Sequence, residues 1–182
     1  MLLGRYENFP ENVHSLAFFS YQSPAKSLQQ AILCAFHRLN SETFDLVAVT
    51  PYLKRNCNVG FEFGIADGFD FNFLDQTELE KSLKAVDEKQ LRVLDFFFAI
   101  RYHETRKGSR KVPLRFDYLI IRFVFHEDQL EARIRHEKGT QRVPLDELTG
   151  FVVNQINVEL CRAQLNPLLL NEKNKISIEF SD

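Results

Sequence analysis

The chain has 182 residues, 45% of them hydrophobic and 18 of them phenylalanine, which suits one well-buried domain and excludes a disordered chain. A formal charge of −2 and a pI near 6.2 exclude a global pull toward nucleic acid, so any polyanion site has to be local. Cys34, Cys57 and Cys161 are widely spaced with no CxxC pair, which predicts inert thiols in a reducing compartment and no disulfide framework.

The opening MLLGRYENFPENVHS has no long apolar run and reaches Glu7 early, so no signal peptide is expected. Arg122 interrupts the best apolar stretch, YLIIRFVF, which falls short of the roughly 18 residues of a membrane helix. A soluble cytoplasmic protein is the expectation. HSLAFFSY, residues 14 to 21, has a strand's composition. Ser23 followed by Pro24 predicts a helix start, with serine as N-cap and proline in the first turn. Leu28, Ala31, Ile32, Ala35, Phe36 and Leu39 then recur at helical spacing, and Asn40 marks the stop. FDLVAV, 44 to 49, reads as a strand, so the opening is strand–helix–strand with its two strands expected parallel.

In NVGFEFGIADGFDFNF, apolar and polar residues alternate on both sides of a turn. A two-residue Asp67–Gly68 turn sets Ile65 against Asp70. A three-residue loop, Ala66 to Gly68, pairs Ile65 with Phe69, Phe63 with Phe71 and Phe61 with Phe73, and is preferred because it gathers the apolar residues on one face. Gly60, Gly64 and Gly68 then belong to a hairpin, not to a phosphate loop, which needs its glycines between a strand and a helix. Glu62, Asp67, Asp70, Asp75, Glu78 and Glu80 read as a solvated acidic face.

Thr77 and Glu80 make a capping-box pattern for a short helix with Leu79, Leu83 and Val86 inward. Residues 92 to 137 read as a three-stranded antiparallel meander. Its middle strand carries Leu119, Ile121, Phe123 and Phe125 on one face. Its last strand alternates strictly, Leu130, Ala132, Ile134 and His136 in and four charges out, which suits a sheet edge. In this register His136 lies opposite about residue 119. His103 and His126 fall about 30 Å apart at ~3.3 Å per residue, so no metal site is expected, and no cofactor. After KGTQR, Pro144 opens the longest helix, with Leu145, Leu148, Val152, Ile156, Leu160 and Ala163 as its stripe. Phe151 and Val153 widen that stripe, which makes the 144–164 helix a candidate surface for a homo-oligomer. Ile176, Ile178 and Phe180 alternate as a last strand. The fold expected is a single α+β domain over residues 1 to 182: a mixed, largely antiparallel sheet covered by two main helices.

No nucleophile elbow or metal-ligand spacing assigns a catalytic residue. The segment RYHETRKGSRKVPLR, 101 to 115, is a hairpin connection carrying six basic side chains and one acid. Its Arg101, Arg106, Lys107, Arg110, Lys111 and Arg115, joined by Arg135 from the neighbouring strand, are the candidate polyanion-binding residues. The reading is a non-enzymatic interaction module for a polyanion, either nucleic acid or an acidic protein. Tyr102 is the one aromatic residue near the segment singled out for stacking. The alternative is an enzyme or small-ligand binder whose pocket lies between sheet and helices, lined from Glu62, Asp70, His103, His136 or Asn154.

Overall fold

The computed structural model describes residues 3–52, 57–104, 112–171 and 176–177, with the backbone alone at 104, 112–115 and 176–177. The strands are β1 (Ser15–Ser20), β2 (Thr43–Asp45), β3 (Cys57–Asp67), β4 (Asp70–Phe73), β5 (Val93–Glu104), β6 (Val112–Phe125), β7 (Gln129–Lys138), β8 (Leu169–Leu170) and β9 (Ile176–Ser177). The helices are α1 (Ala25–Leu39), the one-turn α2 (Leu46–Val49), α3 (Gln76–Glu88) and α4 (Leu145–Arg162). The result is a single α+β domain. Its open sheet runs in the order β2-β3-β5-β6-β7-β1-β8, with β4 added to β3 and β9 to β1. Every pair of named strands is antiparallel. Helices α1, α3 and α4 pack together over one face.

The meander forms as its alternation requires. Leu119 pairs with His136, and β6 lies between β5 and β7 with Leu119, Ile121 and Phe123 buried. Strand β7 is not an edge, however, because β1 returns to pair with it from Gln129 to Ile134. β1 and β2 are therefore neither adjacent nor parallel. Four strands separate them, each flanking its own antiparallel partner. The segment expected as a strand from 44 to 49 is β2 followed by α2. Leu46 and Val49 are both buried, and one helical turn puts residues i and i+3 on the same side where a strand would oppose them.

The hairpin takes neither anticipated register. Asp67 pairs with Asp70, Ile65 with Asn72 and Gly64 with Phe73, leaving Gly68 and Phe69 as a two-residue turn. Gly68 has φ +74°, as the first central position of a type II′ turn demands. A shift of one residue exchanges the two faces. Phe71 and Phe73 consequently share the helix-free face with Gly64, while Asp70 and Asn72 turn the other way. No capping box forms, and the N-cap lies two residues earlier: Asp75, not Thr77, accepts the Glu78 N–H at 2.9 Å, while its own N–H donates to the Phe73 carbonyl. Pro24 rather than Ser23 occupies the N-cap of α1, and Ala163 ends up exposed just past α4.

Under the helices the core is largely phenylalanine. Phe36 of α1 stacks on Phe63 at 4.2 Å between ring centres and meets Phe96 edge-on at 4.6 Å. Phe151 of α4 stacks on Phe61 at 5.4 Å and is itself met edge-on by Phe44. Phe151 and Val153, the residues that widen the apolar face of α4, are thus buried against the chain's own elements.

Three side-chain amides fasten the helices to extended segments by bonding a main chain in both directions. Gln29 of α1 donates to the Leu91 carbonyl at 2.6 Å and accepts from the Leu91 N–H at 3.1 Å. Asn157 of α4 makes the same exchange with Leu168, at 3.3 and 2.8 Å. Asn40, just after α1, accepts the Phe63 N–H at 2.6 Å and donates to the carbonyls of Phe63 and Leu74. It thereby closes the stretch of β3 left between β2 and β4. Asn40→Ala strands buried main-chain groups and is expected to lower stability by about 2–3 kcal/mol in urea unfolding. A loss below about 0.5 kcal/mol, the size of an ordinary surface change, would mean that β3 does not need this bridge.

Candidate binding face

The helices cover only one side of the sheet. On the other side, strand alternation presents Gly60, Glu62 and Gly64 from β3, and Asp95, Phe97, Ala99, Arg101 and His103 from β5. Phe116, Tyr118, Ile120, Arg122 and Val124 follow from β6, then Glu131, Arg133 and Arg135 from β7. This face is rich in rings. Phe71, Phe97, Tyr118 and Phe116 form a ladder across β4, β5 and β6, with successive centres 5.7, 5.9 and 6.1 Å apart. Phe116 is 36% exposed and Phe73, beside the ladder's start, 55%. Tyr102 does not belong to it. Its parity on β5 is opposite, and it lies fully buried on the helix side.

Residues 3 to 14 cover the far half of the face. Gly4 bridges the end of β3 to the start of β5 by accepting the Asp95 N–H and donating to the Ala66 carbonyl. Arg122 holds Asp95 through two bonds of 2.7 and 2.6 Å, donates to the Tyr6 carbonyl, and lies 4.0 Å from the Phe9 ring centre. Burial pushes the Asp95 carboxyl up, and the Arg122 and Tyr6 donors only partly offset it. The strap continues to β7, where Arg135 donates to the Asn12 carbonyl and the His14 N–H to the Ile134 carbonyl. Beside it, Glu131 is gripped by Arg133 at 2.6 Å and by His126 at 3.1 Å. Its burial opposes ionisation, but these partners hold its pKa below the ordinary value. The half of the face nearest the 101–115 connection carries Phe116, Tyr118 and Arg101 and is not crossed by the strap.

Of the basic candidates, Arg101 stands in this uncovered half, 2.5 Å from Glu62 on the next strand. Arg106, Lys107, Arg110 and Lys111 lie outside the described residues. Arg115 lies opposite Tyr102 on β6. Arg135 is not at the same end: it pairs with Ile120, four β6 positions beyond Arg101's partner Phe116, about 13 Å along the strand. It is engaged by Asn12 and by Glu137 at 3.2 Å.

The acidic residues are similarly occupied. Lys81 reaches Glu78 at 3.0 Å and Asp67 at 3.8 Å, and Asp75 caps α3. The polar lining suggested for a pocket does not converge. Glu62 and His103 belong to the helix-free face, Asp70 is exposed on β4, and His136 lies 3.2 Å from Asp117. A groove of 260 Å³ between β1 and α4 includes Asn154 but none of the other four.

On the helix side Asp117 accepts the Tyr102 hydroxyl at 2.7 Å and the N–H groups of Gln141 and Arg142 at 2.8 and 3.2 Å. Burial opposes its ionisation, yet these donors outweigh burial and hold its carboxyl below the usual range. Burial, reinforced by the Asp117 carboxylate, keeps the Tyr102 phenol protonated far above its ordinary range. Gly139 permits the approach: a Cβ there would stand 2.1 Å from Asp117 Oδ1, and its φ is +122°. All of this binds the connection 139–142 to the sheet and presents nothing reactive to solvent. Of the cysteines, Cys57 is buried and Cys161 exposed, and burial raises the Cys34 thiol above its usual pKa. Among the described residues no helix is long and apolar enough to cross a membrane. No protein-family model, curated protein or solved structure matches the chain.

Proposed function

We propose that the protein is a non-enzymatic binding module for single-stranded nucleic acid, taken on the half of the helix-free sheet face that the 3–14 strap does not cross. The observation that carries this reading is the half-buried ring ladder that ends at the exposed Phe116, beside the connection whose sequence holds six basic side chains and one acid. Unpaired bases stack on Phe and Tyr rings, and basic side chains next to the rings take the phosphates. A duplex hides its base faces, whereas a single strand offers an unpaired ring beside every phosphate. The combination therefore favours a single strand. Stacking is tolerant of sequence and phosphate contacts carry none, so affinity is expected to depend on salt far more than on base order.

The test is fluorescence anisotropy with a labelled single-stranded RNA of about 12 nucleotides, within the site sizes of single-strand binders. Phe116→Ala and Tyr118→Ala are each expected to weaken binding about tenfold or more, the contribution of one stacked base. Arg101→Ala is expected to lower the slope of log K against log salt by about 1. Absence of binding at low salt would overturn the reading. So would unchanged affinity after Arg106, Lys107, Arg110 and Lys111 are all replaced by Ser. Equal competition by polyglutamate and by unlabelled RNA would assign the face to acidic proteins instead.

A further inference from the structure

Gly60 sits on the helix-free face in the middle of β3, between Asn58 and Glu62 along the strand and opposite Thr43 on β2 and Arg101 on β5. Nothing in the fold requires a glycine there. Its φ is not positive, and a Cβ built on it meets no heavy atom within 4 Å. A glycine in a strand interior weakens the strand, and one that neither backbone geometry nor packing demands marks a place where something approaches the main chain closely. Gly64, two positions along the face, differs: its Cβ would press on the Asn72 carbonyl, so packing accounts for it.

The bare backbone at Gly60 makes a shallow floor, with Asn58 and Glu62 about 13 Å apart at ~3.3 Å per residue. Arg101 closes one side of it, with Nη2 held by Glu62 and with Nε unpartnered by any hydrogen bond among the described residues. Next to Arg101, in the same cross-strand row, stands Phe116.

We propose that Gly60 is the seat of one nucleobase, which lies flat on the β3 main chain with its edge toward the Arg101 guanidinium and its neighbour in the strand stacked on Phe116. This rests on the single-strand reading above and adds a positioning residue to it. The missing side chain is what makes the room: a Cβ at 60 would enter the volume of the ring while meeting no protein atom within 4 Å.

Gly60→Val and Gly60→Ala test it, because a Cβ at the position meets no heavy atom within 4 Å. Each variant is expected to keep or slightly raise the melting temperature. Gly60→Val is expected to lose about tenfold or more of the affinity for the labelled 12-mer RNA, the value of one stacked base. An oligomer of the same length made of abasic sugar-phosphate, which has no ring to seat, is expected to bind wild type and Gly60→Val alike. Wild-type affinity of Gly60→Val for the RNA, with Phe116→Ala and Tyr118→Ala still impaired, would overturn the seat and leave the platform standing. An equal loss on the abasic oligomer would overturn it too, since the substituent would then block the phosphates. Failure of the wild-type protein to bind any single strand would overturn both.

Discussion

Asp117→Ala is expected to remove about 3–5 kcal/mol of stability, the range for breaking a buried charged network by deleting one member. Asp117 is 1% exposed, and the substitution would leave the fully buried Tyr102 hydroxyl and the N–H groups of Gln141 and Arg142 without their acceptor. For a domain of this size the loss corresponds to a fall in melting temperature of about 10 °C. Asp117→Asn should lie between the two, because an amide keeps the shape and one acceptor but turns its NH2 toward donors. The sign of the pH effect follows from the depressed carboxyl. The unfolded chain holds its proton more tightly than the native state, so the contribution is complete above the unfolded value of about 3.9. It is lost as pH falls through the lower native value. Wild type minus Asp117→Asn stability, measured by urea unfolding from pH 6 down to pH 3, should therefore shrink with acid. A difference that stays constant or grows would show that the carboxylate is not the form the network selects.

Phe36→Ala is the second large effect, expected at about 3–5 kcal/mol as for other buried phenylalanines. Phe36 is fully buried and is the ring through which α1 meets three strands: Phe63 of β3, Phe96 of β5 and Phe123 of β6, the last at 5.9 Å. Its neighbours are themselves large and locked against one another, as in the 4.9 Å stack of Phe63 on Phe98. The cavity cannot readily collapse. Phe36→Leu, which keeps most of the volume, should lose less than half as much. A Phe36→Ala loss near 1 kcal/mol in chemical denaturation would mean that the helix closes onto the sheet without this ring.

The sequence made the meander legible because the buried apolar residues of β6 and β7 fall mainly on one parity, Leu119, Ile121 and Phe123 against Leu130, Ala132 and Ile134. Strict alternation at 130–136 left one register, and Leu119 opposite His136 followed from it. The hairpin was not legible for the opposite reason. Both faces of the sheet carry phenylalanine near β3 and β4, so gathering the rings on one side, usually the best guide to register, led to the wrong one. Nor could alternation reveal that β1 pairs with β7, since a contact between residues 17 and 132 leaves no local trace. The same two-faced apolar pattern concealed the candidate binding face. Parity puts Phe116 and Tyr118 on the face opposite Leu119, Ile121 and Phe123, but parity alone does not say which face the helices cover. Tyr102 passed for a surface ring although its neighbours at 98 and 100 were core. The basic connection was visible from charge alone, because charge needs no register to be counted.

Gln29, Asn40 and Asn157 hold the helices to extended chain with neutral groups only. Amide-to-peptide bonds neither titrate in the ordinary pH range nor weaken by screening. The charges exposed on the helix-free face do respond to ions. If the face binds a single strand as proposed, raised salt should therefore release it while these amide bonds still hold the helices, so that release and unfolding occupy separate ranges of ionic strength. On the proposed reading, salt reverses binding without unfolding the chain.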